Sequence, residues 1–182
     1  MSTLNKIVTR VFYYPSLGYS AALQSLGRWR KWDRLDDHVL LGGRPSRRDV
    51  RELAALGVTA IVNLCEEFGG HPREMETAGI TQLYLPTLDF HCPTRDTLLN
   101  GMEFLLDQRR KSRQTYIHCK VGRGRSATLA LCYLMAAHNL SLPEAFQKLK
   151  SVRPQVVRNL DRRPAVIELA DTLRRRGTGS IQ

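Results

Sequence analysis

Long apolar runs are absent from this 182-residue chain: none approaches the roughly eighteen residues that a bilayer-spanning helix needs. We therefore expect no transmembrane helix. Cysteine is sparse, and no two of the four form a CxxC pair, which argues against a zinc site or a disulfide framework and favours reduced thiols inside a cell. Internal repeats and low-complexity tracts are also missing, and the length suits one domain with a substantial core.

Acidic residues are missing from the first 32 positions, although this segment contains five cations and both tryptophans. Basic and aromatic residues together suit a membrane interface, where rings lie among headgroups and cations meet anionic lipid. Two alternatives remain open: the segment packs on the domain, or it is a cleaved targeting presequence. We expect a leader over residues 1–31, the main domain over 32–176 and a frayed tail over 177–182.

The whole chain is strongly basic, with a net charge of +11. Such a balance says little about the fold, but it favours an anionic partner. Nucleic acid, an acidic membrane surface and phosphate-bearing substrates all qualify.

Strands and helices alternate along the main domain. The segment 58–64 is β-branched and almost entirely apolar, which is typical of a strand covered on both faces. The segment 127–137 is apolar all round, as a helix at the centre of a domain would be. Further strands are expected near 38–43, 82–86 and 115–119, with helices after Ser46, Pro72, Thr94, Ser141 and Arg163. This alternation predicts an α/β fold with a mostly parallel central sheet flanked by helices.

The stretch HCKVGRGRSAT, residues 118–128, joins a predicted strand end, a glycine loop and a helix start. Gly122 and Gly124 allow successive backbone N–H groups to converge on an anion, beside the positive end of the helix dipole. Two better-known glycine motifs do not fit. The nucleotide-binding GxxxxGK[ST] requires lysine where Arg125 stands, and GxGxxG requires glycine where Ala127 stands.

A cysteine at the mouth of such a loop should ionise readily, because the helix dipole and nearby cations favour the thiolate. Cys119 is then a good nucleophile, and Arg125 can donate two hydrogen bonds to phosphate oxygens. The loop predicts a nucleophile and an anion hole suited to phosphoryl transfer.

The segment HCKVGRGRS resembles the HCxxGxxR[ST] signature of the cysteine-dependent protein tyrosine and dual-specificity phosphatases. The segments WDRLDDHVLLGGRP, GVTAIVNLCEEF and YLPTLDF are similar, in order and spacing, to the branch of that family that dephosphorylates phosphatidylglycerophosphate in mitochondrial cardiolipin synthesis. The similarity spans roughly residues 10–170. It implies the dual-specificity phosphatase fold, with residues 32–176 as the catalytic domain.

The resemblance implies a role for each site residue. Cys119 would attack phosphorus and form a phosphocysteine, Arg125 would clamp the phosphate, and His118 would hold the loop and tune the thiol. Ser126 would donate a hydrogen bond to the departing sulfur, and Asp89 would be the general acid and then the base. Neither a metal nor an organic cofactor is implied.

Alternatives remain for several of these residues. His118 could serve packing alone, and Ser126 could cap the helix. Other candidate acids are Asp96 and Asp107, which lie in or at the start of a predicted helix. Cys65 and Cys92 are expected to be packing thiols, although either could form a disulfide with Cys119.

The substrate class follows from charge and from the resemblance. The phosphate-binding loop comprises Lys120, Val121, Gly122, Arg123 and Gly124, and its two extra cations resemble those of lipid-phosphate members of the superfamily. Glu66 and Glu67 match the start of a substrate-binding acidic loop, Glu-Glu-Tyr-Glu, which here is Glu-Glu-Phe-Gly. The expected substrate is a phospholipid headgroup such as phosphatidylglycerophosphate, and a phosphoprotein is the alternative.

Two other functional classes compete with this interpretation: a nucleic-acid-binding module, and a phosphatase-like domain that binds phosphate without catalysis. Aromatics are not interleaved with the loop cations, so no nucleic-acid partner is expected. We expect a monomer at a membrane surface. That surface would be the mitochondrial inner membrane in a eukaryote, or the cytoplasmic face of the cell membrane in a bacterium.

Overall fold

The computed structural model describes residues 30–178 and, ahead of them, Gly18 alone. Its strands are β1 Trp32–Arg34, β2 Val39–Gly42, β3 Val58–Cys65, β4 Thr81–Thr87 and β5 Gln114–His118. Its helices are α1 Arg47–Ala55, α2 Pro72–Thr77, α3 Arg95–Arg110, α4 Arg125–His138, α5 Leu142–Val152 and α6 Pro164–Thr178, with a short 3₁₀ helix at Leu160–Arg162.

The five strands form one sheet in the order β1-β2-β5-β3-β4. Strands β2, β5, β3 and β4 run parallel, which confirms the predicted mostly parallel sheet. The edge strand β1 is antiparallel to β2 and was not predicted, because three residues are too few to show a periodic pattern. Strand β5 is central, so the loop after it opens at the middle of the carboxyl edge, where α/β sheets bind ligands.

Helices cover both faces of this sheet. On one face α1 and α2 contribute Val50, Leu53 and Met75 to a small core with Tyr116. On the other face α3, α4, α5 and α6 build the larger core. Helix α4 is buried from Arg125 to Met135, as its all-round apolarity predicted.

Local signals in the sequence fix several helix ends. Ser46 and Asp49 form a capping box at the start of α1, and Ser141 and Glu144 form one at the start of α5. Helix α4 begins at Arg125, two residues earlier than expected from its apolar run. The reason is that its first two residues, Arg125 and Ser126, are polar and so precede the apolar run: Arg125 donates to Glu67, and Ser126 donates to Cys119 of the preceding loop.

Nearly all of the predicted leader and most of the predicted tail lie outside the described residues, so both remain predictions. Within residues 30–178, no helix is both long and apolar enough to cross a membrane.

Candidate active site

The loop from Cys119 to Gly124 connects β5 to α4 and curls tightly against the end of β2. Gly122 makes this curl possible, since its φ is +74°. A Cβ at this position would collide with the carbonyl carbon and oxygen of Gly42 and lie 2.8 Å from Nη2 of Arg153. Only glycine fits there, as the sequence motif predicted.

The sulfur of Cys119 lies at the focus of this loop, and the residue is only 3% exposed. The sulfur accepts a hydrogen bond from the backbone N–H of Gly122 at 3.3 Å and another from the hydroxyl of Ser126 at 3.2 Å. Donors aimed at sulfur stabilise its anionic form.

The pKa of the Cys119 thiol reflects two opposing effects. Burial raises it, but the guanidinium of Arg125 and the hydrogen bonds from Ser126 and Gly122 outweigh burial and hold this pKa below that of an ordinary thiol. The loop therefore favours a thiolate, the nucleophilic form of cysteine.

Arg125 is buried and held from one side by a carboxylate. Glu67 binds it with both oxygens, Oε2 at 2.8 Å from Nη1 and Oε1 at 2.7 Å from Nη2, and the carbonyl of Thr87 accepts from Nη1 at 2.7 Å. Burial lowers the pKa of the guanidinium, but Glu67 and the Cys119 sulfur more than compensate and raise it. The side chain is a fixed cation with a defined orientation.

Asp89 follows β4 and lies at the rim of the loop. Its Oδ2 is 2.8 Å from Nζ of Lys120, and its Oδ1 is 3.0 Å from Nη2 of Arg125. The rival acids lie on α3: Asp96 has a 94% exposed side chain, and Asp107 pairs with Lys111. Within residues 30–178, Asp89 is the one of the three candidates that faces the loop.

A cavity of about 360 Å³ opens above the sulfur. Cys119, Arg125 and Asp89 line it together with Arg123 and Arg163. Sequence reasoning missed Arg163, which lies directly before α6 and donates a hydrogen bond to the hydroxyl of Thr128 on α4. No local motif marks Arg163, so only the tertiary fold could place it there.

His118 lies beneath the loop, fully buried. Its ring stacks on Tyr116 at 5.8 Å, and Nδ1 is 3.4 Å from the carbonyl oxygen of Cys119. Burial, reinforced by the positive charge of Arg125, lowers the pKa of His118 to about 3. The imidazole is therefore neutral at neutral pH and supports the loop from below.

Lys120, expected to be a substrate-binding cation of the loop, does not line the cavity. Its side chain is 2% exposed and its ammonium binds Asp89, so it is directed toward the candidate acid. A short loop whose backbone N–H groups face an anion directs some of its side chains away from that anion. The buried side chain of Lys120 is one of these. Of the two extra loop cations, Lys120 and Arg123, it is Arg123 that lines the cavity.

The two glutamates of the expected acidic loop have separate positions. Glu67 binds Arg125 rather than facing the cavity. Glu66 is exposed, and its carbonyl accepts a hydrogen bond from the hydroxyl of Tyr84 at 3.2 Å. Glu67 is thereby joined directly to the first residue of α4.

A buried arginine supports the outer side of the loop, and no local sequence pattern indicates it. Arg153 donates from Nε to the carbonyl of Gly122 at 2.8 Å and from Nη2 to that of Val121 at 3.1 Å. Its Nη1 pairs with Asp33 of β1 at 2.6 Å. The edge strand and the end of α5 are thereby fastened to the loop.

The remaining cysteines fall into two groups. Cys65 and Cys132 are buried, so the expectation of a packing thiol holds for Cys65. Cys92 is exposed, and the same expectation is wrong for it, because it lies in the irregular segment between β4 and α3.

Known proteins are similar to this chain in sequence and in fold. The family described as dual specificity phosphatase, catalytic domain, matches residues 39–171. Phosphatidylglycerophosphate phosphatase PTPMT2 of Arabidopsis thaliana is 34% identical over 167 residues, which cover 88% of this chain and 72% of that protein. Human phosphatidylglycerophosphatase and protein-tyrosine phosphatase 1 is 34% identical over 159 residues, covering 82% and 79% of the two chains.

A solved structure with a related name is also similar to this chain in fold. The crystal structure of PTPMT1 in complex with PI(5)P superposes with a TM-score of 0.71 at 29% identity, covering 84% of this chain and 100% of that one. The chain belongs to the dual-specificity phosphatase family. It is therefore an enzyme of the class that hydrolyses phosphomonoesters.

Proposed function

We propose that this enzyme hydrolyses phosphomonoesters through a phosphocysteine on Cys119, with a phospholipid headgroup as its substrate. One observation supports this mechanism most directly. The Cys119 sulfur accepts hydrogen bonds from Gly122 and Ser126 at the floor of a cavity that also contains a fixed arginine. This geometry supports both a thiolate and a bound phosphate.

In the first step, the phosphate of the substrate lies against the loop N–H groups and Arg125. The thiolate attacks phosphorus, so an S–P bond forms as the P–O bond to the alcohol breaks. Asp89 in its protonated form gives its proton to the leaving oxygen. The alcohol departs, and the phosphoryl group remains on Cys119.

In the second step, water attacks the phosphocysteine. Asp89, now a carboxylate, accepts the proton of the water, and the S–P bond breaks to release inorganic phosphate. The sulfur leaves as an anion. The hydrogen bonds from Ser126 and Gly122 stabilise that anion, which supports the role of Ser126 in this step.

Substrate binding changes the contacts of Arg125. Glu67 occupies its Nη1–Nη2 edge, so the Nε–Nη2 edge is the one available for phosphate. Asp89 also contacts Nη2. A bound phosphate would replace Asp89 at that nitrogen. The carboxyl of Asp89 would then face the ester oxygen, where a general acid is required.

The relatives support a lipid substrate. PTPMT2 is a phosphatidylglycerophosphate phosphatase by name, and the PTPMT1 structure contains PI(5)P. The cavity adds two cations, Arg123 and Arg163, to the catalytic arginine, and the 74% exposed Phe90 stands at its rim. Together these features fit an anionic headgroup presented at a bilayer.

The proposed location is a membrane surface: the mitochondrial inner membrane in a eukaryote, or the cytoplasmic face of the cell membrane in a bacterium. The leader over residues 1–31 would contact the lipid, and residues 32–176 would form the catalytic domain. The net charge of +11 favours such a surface.

A protein substrate is the second candidate. The human relative is named both a phosphatidylglycerophosphatase and a protein-tyrosine phosphatase. The chemistry would be the same, because the loop binds the phosphoryl group and not the rest of the substrate.

One set of assays tests chemistry and substrate together. Initial rates are measured on phosphatidylglycerophosphate, a phosphoinositide and a phosphotyrosine peptide, with wild type and Cys119→Ser. We expect the highest kcat/KM on phosphatidylglycerophosphate and no turnover by the serine variant. Peptide turnover faster than lipid turnover would contradict the proposed lipid substrate, and turnover by Cys119→Ser would contradict the proposed mechanism.

A further inference from the structure

A second cavity, of about 500 Å³, adjoins the catalytic one. It lies between the last turn of α5 and the segment that follows that helix, and Lys150, Gln155 and Arg158 line it. Arg123 and Val157 line both cavities. The loop that surrounds the Cys119 sulfur therefore forms part of the wall of the second cavity.

Positive charge dominates this second cavity. Arg123, Lys150 and Arg158 line it, and none of its lining residues within the described part of the chain is acidic. Lys150 and Arg158 are exposed, and neither forms an ion pair with another residue among 30–178. Clustered like charges repel one another, so an anion placed among them would be attracted by all three.

Hydrogen bonds fix the second cavity relative to the catalytic loop. Arg123 donates from Nε to the carbonyl of Gln155 at 2.6 Å, and the N–H of Val157 donates to the carbonyl of Arg123 at 3.0 Å. Arg153, just before this segment, binds the carbonyls of Val121 and Gly122. The segment therefore keeps a constant position beside the phosphate-binding loop.

We propose that this cavity is a second anion subsite, which receives a second phosphate group while the phosphomonoester occupies the loop at Cys119. The inference rests on the proposed function and narrows it to substrates whose headgroup contains two phosphates. A phosphomonoester joined through glycerol to a phosphodiester has this chemistry. The second phosphate could belong to the same molecule or to a neighbouring anionic lipid, and the test separates the two.

The test compares two water-soluble substrates. One is glycerol carrying a phosphomonoester and a phosphodiester, and the other is glycerol phosphate with the monoester alone. The measured quantity is the ratio of their kcat/KM values. Lys150→Ala and Arg158→Ala should each lower this ratio about threefold to fivefold, as expected for losing one exposed charge pair, and the effect should shrink at high salt.

Lys148→Ala is the matched control. It removes the same charge from the same helix, outside the lining of the second cavity, and should leave the ratio unchanged. A ratio lowered equally by all three variants would overturn the proposal, because general charge would then explain the preference. A ratio unaffected by Lys150→Ala and Arg158→Ala would overturn the version of the proposal in which both phosphates belong to the same substrate molecule.

A second arm examines neighbouring lipids. A lipid with a single phosphomonoester is presented in vesicles of anionic or of zwitterionic phospholipid. Should Lys150→Ala and Arg158→Ala slow turnover only in the anionic vesicles, the subsite stands and its phosphate comes from the bilayer. No effect in either arm, with wild type active on all substrates, overturns the subsite alone. Absence of wild-type turnover would instead contradict the proposed function.

Discussion

At the scale of single residues, three charged side chains around the Cys119 sulfur have separate tasks. Glu67 binds Arg125, and in the proposed mechanism Arg125 holds the phosphate and Asp89 exchanges the proton. The distances of 2.7 and 2.8 Å between Glu67 and the guanidinium indicate strong, charge-assisted hydrogen bonds in a buried setting. Such a pair fixes the orientation of the guanidinium. That orientation matters because phosphoryl transfer depends mainly on the positioning of the groups around the phosphate.

Glu67→Gln tests the positioning of Arg125. Glutamine preserves size but cannot accept from both nitrogens, so the guanidinium loses its fixed orientation. We expect kcat/KM on an aryl phosphate to fall about tenfold to a hundredfold, the range typical of misplaced catalytic groups. Glu103→Gln, an exposed change on α3, is the control for lost charge. Equal rates for Glu67→Gln and wild type would show that Arg125 needs no carboxylate partner.

Asp89→Ala tests the proton donor. Alkyl phosphates have poor leaving groups that need a proton, whereas aryl phosphates with acidic phenols need it much less. The variant should therefore lose about a hundredfold or more on an alkyl phosphate and far less on para-nitrophenyl phosphate. Steady-state rates on both substrates measure the difference. An equal loss on the two substrates would remove Asp89 from the acid role.

At the scale of elements, the strand β5, the loop and the helix α4 act as one unit. The loop conformation depends on glycine at position 122 and on Arg153, which donates a hydrogen bond to the carbonyl of that glycine. Gly122→Ala places a methyl group against the backbone of Gly42 in a left-handed conformation. That conformation alone costs about 1–2 kcal/mol, and the collision adds to it.

We expect Gly122→Ala to lower the free energy of unfolding by at least that amount and to reduce turnover of an aryl phosphate sharply. Chemical denaturation and steady-state rates measure the two effects. Gly69→Ala is the matched control, because a Cβ there meets nothing within 4 Å. A variant at position 122 that is as stable and as active as Gly69→Ala would contradict the close approach of this loop to Gly42.

The elements also show which features of the structure could be predicted from the sequence. The capping boxes and the loop between β5 and α4 were predictable because their signals are local: spacing, glycine and side-chain chemistry. The edge strand β1, the support from Arg153 and the cavity cation Arg163 were not. Each depends on residues distant in sequence, and Arg153 meets Asp33 across 120 positions. The contact between Lys120 and Asp89 could not be predicted for a related reason, since a motif specifies residue types but not which side chains turn inward.

At the scale of the whole molecule, burial of His118 links stability to pH. Burial lowers its pKa to about 3, so the folded state excludes a proton that the unfolded chain binds with a pKa near 6.5. The stabilisation from the neutral imidazole is complete above pH 6.5. It is lost progressively as the pH falls from 6.5 toward 3.

The free energy of unfolding should therefore decrease by about 1.4 kcal/mol for each pH unit below 6 through this residue. Urea denaturation between pH 7 and pH 5, where most carboxylates remain ionised, measures it. His118→Gln should show a shallower dependence, whatever its absolute stability. Parallel curves for the two proteins would mean that His118 takes up its proton without unfolding.

The proposed mechanism depends on an ionised sulfur at Cys119, and the reaction of that thiol with iodoacetamide, followed by mass spectrometry, reports on its ionisation. The exposed Cys92 of the same molecule is the internal reference. At pH 6.5 we predict faster alkylation of Cys119 than of Cys92, despite its 3% exposure, and protection of Cys119 alone by inorganic phosphate. Slower alkylation of Cys119 than of Cys92, with no effect of phosphate, would contradict a thiolate in a phosphate-binding loop.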